Sequence, residues 1–245
     1  MDIAGSIAFV TGANGGIGRA FVAELLKRDA AKIYVAARDR DSLSDVLIQN
    51  DGRLVPIKLD VTKAAEVSAA AAAAPDVKLL INNAGYAAFQ GAIAPRDLSA
   101  ARHEMDVNYF GPLALTRACK TALAGGGVVN MLSMAALVSL PMTGTYSASK
   151  AAFLSVTRSI RAELAAQGTI VVGVLAVQTE SAIGARLPPP RMTPVEVAAD
   201  ALDAVQAGKN EEITAGSLTH GAYAAFTADP KAFQAKMSMR LPQTS

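Results

Sequence analysis

Ile7-Ala8-Phe9-Val10 runs directly into Thr11-Gly12-Ala13-Asn14-Gly15-Gly16-Ile17-Gly18, and an amphipathic stretch from Ile17 to Lys27 follows. A short apolar run without alternation fits a strand covered on both faces. A glycine-rich turn between such a strand and a helix lets the backbone approach a pyrophosphate, which then rests on the amides at the helix N-terminus. Glycine clusters also make ordinary turns. The position of this one, after a first strand and inside a βαβ pattern, favours the phosphate reading.

The alternation continues along the chain. Lys32 to Ala37, Leu54 to Leu59, Val77 to Ile81, Val128 to Leu132 and Ile170 to Leu175 are further apolar runs, with a last short one at Glu212 to Thr214. Helical stretches lie between them: a polar one from Asp41 to Gln49, and an alanine-rich one from Thr62 to Ala74 with Thr62 as its cap. A long one from Leu98 to Leu123 is bent near Gly111-Pro112, and one from Tyr146 to Gln167 is ended by Gly168. Thr193 caps the next, with Pro194 at its first position and Gly208 at its end. This pattern predicts α/β architecture: one doubly wound Rossmann-type domain over residues 1–245, with a mostly parallel sheet and helices on both faces.

Of 245 residues, 51% are apolar and 18% charged, enough for a large core and too little charge for a disordered chain. The net charge of +2 is spread along the sequence, so neither nucleic acid nor a membrane surface is expected as a partner. Cys119 is the only cysteine and falls in an apolar helical stretch, where it reads as a packing thiol. His103 and His220 are isolated, and no metal site is expected. Without a signal peptide or membrane span in the pattern, the expected location is the cytoplasm.

Tyr146-Ser147-Ala148-Ser149-Lys150 carries the chemistry. Residues four apart on a helix share a face, so Tyr146 and Lys150 address one small volume. A phenol has a pKa of about 10; a nearby ammonium favours the phenolate and makes tyrosine a usable general acid or base. Alone, such a pair is common on helix surfaces. Ser133 strengthens it by following the strand Val128 to Leu132, at the carboxyl edge where open parallel sheets bind ligands. Ser139 competes, but it lies within the loop and close to Tyr146.

In Thr-Gly-x-x-x-Gly-x-Gly at 11–18, Asn82-Asn83-Ala84-Gly85, Ser133 and Tyr146-x-x-x-Lys150, the chain resembles the short-chain dehydrogenase/reductase superfamily. The resemblance implies an NADP(H)-dependent oxidoreductase that reduces a ketone or aldehyde to an alcohol by reversible hydride transfer. Ser133 and Tyr146 would hold the substrate oxygen, Tyr146 would pass the proton, and Lys150 would anchor the ribose and lower the tyrosine pKa. Asn108, within Met105 to Gly111, would link Lys150 to solvent through a backbone carbonyl and water. Gly12, Gly16 and Gly18 fall on the family's three glycines. With Asn14 and Ile17 in the same turn, they would hold the cofactor together with Asp60, Val61, Asn83, Ala84, Gly85, Tyr146, Lys150 and Thr179. Asn82 fits a structural tie as well as a cofactor contact. Ala37 occupies the place of an NAD-selecting acid and Arg38 that of an NADP-selecting arginine, which can pair with a 2′-phosphate. The partners implied are a small carbonyl or alcohol and further copies of the chain, as a homodimer or homotetramer through the helices starting near Leu98 and Tyr146.

The pattern also departs from the family. Its usual Pro-Gly after the sixth strand is missing from Val174-Leu175-Ala176-Val177-Gln178-Thr179 and the connection is shortened, which puts placement of the nicotinamide in question and leaves an NADP(H)-binding sensor or regulatory protein as the alternative. The stretch around 180–194, with Pro188-Pro189-Pro190, would be the substrate lid. Ala135, Ala136, Leu137, Val138, Leu140 and Met142 predict an apolar or aromatic substrate, unless they are core. The segment 218–245 lacks the family's short closing strand. Its Tyr223, Phe226 and Phe233 read first as packing, otherwise as a cover for the site or an interface.

Overall fold

Strands without polar alternation need cover on both faces, and both faces are covered. In the computed structural model, which describes residues 1–48 and 52–240, the strands are β1 (Ile7–Thr11), β2 (Lys32–Ala37), β3 (Leu54–Lys58), β4 (Leu79–Asn82), β5 (Gly127–Met131), β6 (Ile170–Leu175) and β7 (Glu212–Thr214). They form a seven-stranded sheet in the order β3-β2-β1-β4-β5-β6-β7, with every pairing parallel. Successive side chains alternate between two apolar cores. Ala8, Val10, Ile33, Val35, Ile81, Val129 and Val172 face one, while Phe9, Tyr34, Ala36, Leu80, Val128 and Val171 face the other.

The first core is closed by α1 (Gly16–Lys27) through Phe21 and Leu25, α2 (Ser44–Leu47) through Val46, and α7 (Pro194–Gln206) through Val197, Ala201 and Val205. The second is closed by α3 (Ala64–Ala73), α5 (Gly111–Cys119) and α6 (Gly144–Leu164), through Val67, Leu115, Cys119, Ile160 and Leu164. Each buried Leu, Ile or Phe contributes about 1.5–3 kcal/mol relative to exposure, which makes these faces the main source of stability. Thr193 caps α7 with Pro194 at its start, as the sequence predicts, and Glu196 completes a reciprocal capping box that the sequence reading does not include.

Some element boundaries differ from the sequence reading. Thr62 does not cap α3: its hydroxyl and N–H both go to Asp60, at 2.7 and 3.0 Å, so the helix starts at Ala64 with Lys63 at the cap. The polar stretch from Asp41 is a 3-10 turn, Asp41–Leu43, followed by α2; Gln49 lies outside the described residues. The long helix is divided into α4 (Ser99–Met105), a π-helical turn over Asp106–Phe110, and α5. Gly111 makes this course feasible, because a Cβ there would stand 2.8 Å from the Val61 side chain. After β7 the chain forms α8 (Ser217–Ala228) and α9 (Pro230–Ser238). Among the described residues, no helix is long and apolar enough to cross a membrane.

Candidate active site

The sheet order reverses between β1 and β4, and doubly wound folds bind their ligands beyond the carboxyl ends of the strands at that switch. Here the switch is stitched by Thr11. Its hydroxyl donates to the Ile81 carbonyl at 3.2 Å and accepts the Asn83 and Ala84 N–H groups at 2.9 and 3.0 Å. The Asn83 amide returns to the Thr11 and Gly12 carbonyls at 2.9 and 3.2 Å. The glycine turn and the segment after β4 are therefore one rigid unit. Asn83, Ala84 and Gly85 all line the cleft, and the Asn83 side-chain amide is held by the protein. Asn82 is a structural tie: it is buried and donates to Thr116 and Asn130.

A cavity of about 680 Å³ opens from this switch and runs toward α6. The turn residues Gly12, Asn14, Gly16, Ile17 and Gly18 line one end, with Arg38, Asp60 and Val61 beside them. Gly12 sits at φ 63°, and a Cβ on Gly18 would lie 2.1 Å from the Gly12 carbonyl oxygen, so the tight turn needs both glycines. The N-terminus of α1 has no side-chain cap and no acid in its first turn, leaving amides and dipole free for an anion. The residues thus fit a dinucleotide phosphate. At the same end Arg38 is exposed and makes no hydrogen bond or ion pair with a described residue, while Ala37 beneath it is buried. Burial tends to raise the Asp60 carboxyl, but hydrogen bonds from Thr62 and the charges of Lys63 and Arg38 hold it below its ordinary range.

At the other end, Ser133, Tyr146 and Lys150 line one wall. Ser133 follows β5 in extended conformation, its hydroxyl accepting the Ala135 N–H at 3.1 Å. Lys150 is buried, with its ammonium donating to the Met131 carbonyl at 2.8 Å and standing 5.8 Å from the centre of the Tyr146 ring. Burial pushes the Tyr146 phenol up to about 12, opposed by a hydrogen bond with Ser133 and reinforced by the charge of Glu104. Desolvation pulls Lys150 down to about 8. In the protein alone, desolvation therefore outweighs the acidifying effect on Tyr146 that the four-residue spacing suggests. Ser139 stands apart: it is exposed and exchanges hydrogen bonds with Gln234.

Asn108 lies inside the π turn, buried, and both ends of its amide are used. It accepts the Tyr86 N–H and donates to the Tyr86 carbonyl and to Ser149, at 2.9, 2.8 and 2.9 Å. Ser149 passes the link to the Tyr146 carbonyl at 2.7 Å. The residue four beyond Asn108 is Pro112, which lacks the N–H that would ordinarily pair with the Asn108 carbonyl.

Thr179 also lines the cavity, with its hydroxyl donating to the Val177 carbonyl and its backbone bridged to Met192. The substituted loop at Ala176 is held in place, because the Met134 N–H donates to the Ala176 carbonyl at 3.0 Å. The segment beyond it rests against the glycine turn, where a Cβ on Gly16 would meet the Glu180 carbonyl oxygen at 2.7 Å. Of the six apolar residues after Ser133, Ala135, Val138 and Leu140 line the cavity, whereas Met142 does not and Ala136 and Leu137 pack against the core around Phe153 and Leu154. Tyr86, Phe89 and His103 also line it, and from the tail Met237 and Arg240, which the sequence does not place at the site, together with Phe233, which it names as packing or a cover for the site. The tail's aromatic content is the one sequence signal that points to them.

A doubly wound sheet with an uncapped glycine turn at its switch point, and a serine, tyrosine and lysine facing the same cleft, defines a dinucleotide-binding oxidoreductase fold. The chain belongs to the short-chain dehydrogenase family, whose model matches residues 6–190. It is similar to the short chain dehydrogenase tazN of Aspergillus terreus, 33% identical over 66% of this chain and 39% of that one. It is 37% identical to the NADPH-dependent 1-acyldihydroxyacetone phosphate reductase of Saccharomyces cerevisiae, over 64% of this chain and 56% of that one. The matches thus span 39% and 56% of these two relatives' own lengths. A crystal structure of a short chain dehydrogenase from Burkholderia cenocepacia J2315 in complex with NADP superposes with a TM-score of 0.90 at 39% identity, over 97% of this chain and 99% of that one.

Proposed function

We propose that this protein is an NADPH-dependent carbonyl reductase in which Tyr146 is the proton donor and acceptor. The observation that carries the reading is Tyr146, Ser133 and Lys150 lining one wall of a cleft whose opposite end is the glycine turn. When bound, the reduced nicotinamide supplies the hydride for a carbonyl carbon. Gly12, Asn14, Gly16, Ile17, Gly18, Asp60, Val61, Asn83, Ala84, Gly85 and Thr179 hold the cofactor. Arg38 selects the 2′-phosphate, a choice supported by the lack of an acid at Ala37 and by the NADP and NADPH named for two similar proteins. Ser133 and Tyr146 fix the substrate oxygen, and Tyr146 gives it the proton. Lys150 steadies the ribose and, as an ammonium, favours the phenolate left behind. Asn108 positions Tyr86 and Ser149 around them, and its carbonyl, relieved of a donor by Pro112, takes the water of a proton relay.

The apolar lining favours a hydrophobic or aromatic ketone. Leu98 and Phe110 are 59% and 53% exposed along α4 and the π turn, which supports a homo-oligomer built on that face. We place the protein in the cytoplasm.

The test is oxidation of NADPH and NADH by the purified protein against aliphatic, aromatic and cyclic ketones. Turnover with NADPH at least tenfold above NADH is expected. Tyr146→Phe is expected to lower it at least about a thousandfold while NADPH binding is unchanged. A fully active Tyr146→Phe protein would sink the mechanism.

A further inference from the structure

The segment between β6 and α7 closes one side of the cleft, and its course depends on Arg191. Thr179, Ser181, Ile183 and Leu187 of this segment line the cavity. At its far end Met192 is buried in the first core and tied to the segment's start. The Glu180 N–H donates to the Met192 carbonyl at 2.9 Å, and the Met192 N–H donates to the Gln178 carbonyl at 3.0 Å. These bonds fix the backbone beside Arg191. Its side chain reaches back across the loop and donates to the carbonyls of Gly184 at 2.8 Å, Ala185 at 3.2 Å and Leu187. Because Gly184–Arg186 is a 3-10 turn, the guanidinium caps the end at which a helical turn leaves its carbonyls open.

Arg191 is half-buried, and among the described residues no carboxylate pairs with it. Its charge is therefore used on the loop itself. The loop has few other outward ties. At its tip Arg186 donates to the Ala88 carbonyl at 3.4 Å and lies 4.3 Å from the centre of the Phe89 ring. Inside it, the Ser181 hydroxyl donates to the Thr179 carbonyl at 3.2 Å and accepts the Gly184 N–H at 3.1 Å. Gly184 passes so close to Thr179 that a Cβ there would stand 1.8 Å from the Thr179 carbonyl oxygen. Whatever moves Gly184 therefore moves Thr179. On its cleft side the loop also bears on the glycine turn, through the Glu180 carbonyl against Gly16.

We infer that Arg191 is a positioning residue that sets residues 179–187 in their cleft-lining form before any cofactor arrives, in a chain that lacks Pro-Gly at this connection. The inference rests on the reading of the cleft as a nicotinamide dinucleotide site. A loop already ordered has given up its conformational freedom on folding. Released from Arg191, it must give up that freedom on binding, and the affinity falls accordingly. Once the cofactor is bound the loop has the same form in both cases, so turnover at saturation changes little. Arg191 therefore acts on binding and KM rather than on kcat. A lysine at this position is a compact charge without the planar fork, and it recovers only part of the effect.

The experiment compares Arg191→Ala and Arg191→Lys with the wild-type protein, with urea unfolding recorded for each. In the absence of cofactor, trypsin cleavage after the exposed Arg186 is followed by fragment mass. Arg191→Ala is expected to be cut there at least about tenfold faster than wild type, and saturating NADPH to bring the rate back to within about threefold. The Kd for NADPH, read by its fluorescence, is expected to rise at least about tenfold, with KM following and kcat changing by less than about threefold. Arg191→Lys should fall between the two on both readouts, and it carries the test alone if the alanine variant does not fold. Wild-type cleavage and Kd in the variants, with or without a loss of stability, overturn the inference. Faster cleavage with an unchanged Kd also overturns it, because ordering the loop would then cost the cofactor nothing. A wild-type protein that binds no NADPH overturns the dinucleotide reading instead, and cleavage of the free proteins still decides whether Arg191 sets the loop.

Discussion

Lys150 shows what the site costs the fold. Its ammonium is buried with one carbonyl partner, and desolvation lowers it to about 8. An unfolded chain returns it to about 10.4, so keeping the charge inside costs roughly 3 kcal/mol at neutral pH. Because the folded value is the lower one, the cost is full below about pH 8 and fades as pH approaches the unfolded value. Lys150→Met loses one hydrogen bond of about 1 kcal/mol and keeps the side-chain volume. It is expected to unfold at higher urea, by about 1–2 kcal/mol at pH 7, with the gain shrinking by pH 9.5 and with turnover lost. A variant less stable than wild type at pH 7 would show that the ammonium is better solvated than its burial implies. Tyr146, Lys150 and Ser133 are readable from sequence because each lies in a local pattern: a helical spacing, or a position just past a strand. Thr11 is not, because what makes it matter is a partner far along the chain, at Ile81.

Between elements, the sheet is tied to its helices by a buried polar chain. Asn82 on β4 donates to Asn130 on β5 at 2.8 Å and to Thr116 on α5 at 3.1 Å. Asn130 in turn donates to Thr157 on α6 at 3.0 Å, and both threonines donate to carbonyls of their own helices at 2.7 Å. The chain joins β4, β5, α5 and α6, and so holds the strand before Ser133 in register with the helix carrying Tyr146. Asn130→Ala leaves Asn82 and Thr157 short of a partner in a dry interior, which should cost about 3 kcal/mol by urea unfolding with an unchanged slope. The double variant with Asn82→Ala should cost clearly less than the sum of the singles, since both belong to one network. Strict additivity would mean that the hydrogen bonds do not cooperate. Strands and long helices were readable because their apolar periods are strong. The start of α3 was not, because Thr62 has a better partner in Asp60 than in the helix. The π turn was not either, because it depends on how closely Gly111 approaches Val61.

Over the whole molecule, the two ends of the cleft have different origins. The turn after β1, the ends of β2 and β3 and the segment after β4 build the dinucleotide end, so it is set by the sheet's switch point. The opposite end, where we place the substrate, borrows from the tail: Phe233 and Met237 on α9 line the cavity, and Arg240 follows them. The tail is fastened to the loop after Ser133 by the Gln234 amide, which donates to the Ser139 carbonyl at 2.9 Å and accepts the Ser139 N–H at 3.0 Å. A further bond runs from the Met142 N–H to the Arg240 carbonyl at 3.2 Å. No period or motif announces this, because the contacts join residues about 95 positions apart. Ending the chain at Asp229 removes α9 and opens the substrate end while leaving the glycine turn and Arg38 untouched. NADPH affinity should then stay within about threefold, whereas KM for an apolar ketone should rise at least about tenfold, since one wall of its pocket is gone. Equal loss of both would mean that α9 supports the sheet as a whole. An unchanged KM would mean that the substrate never reaches the tail, and that the apolar wall at Val138 and Leu140 alone selects it.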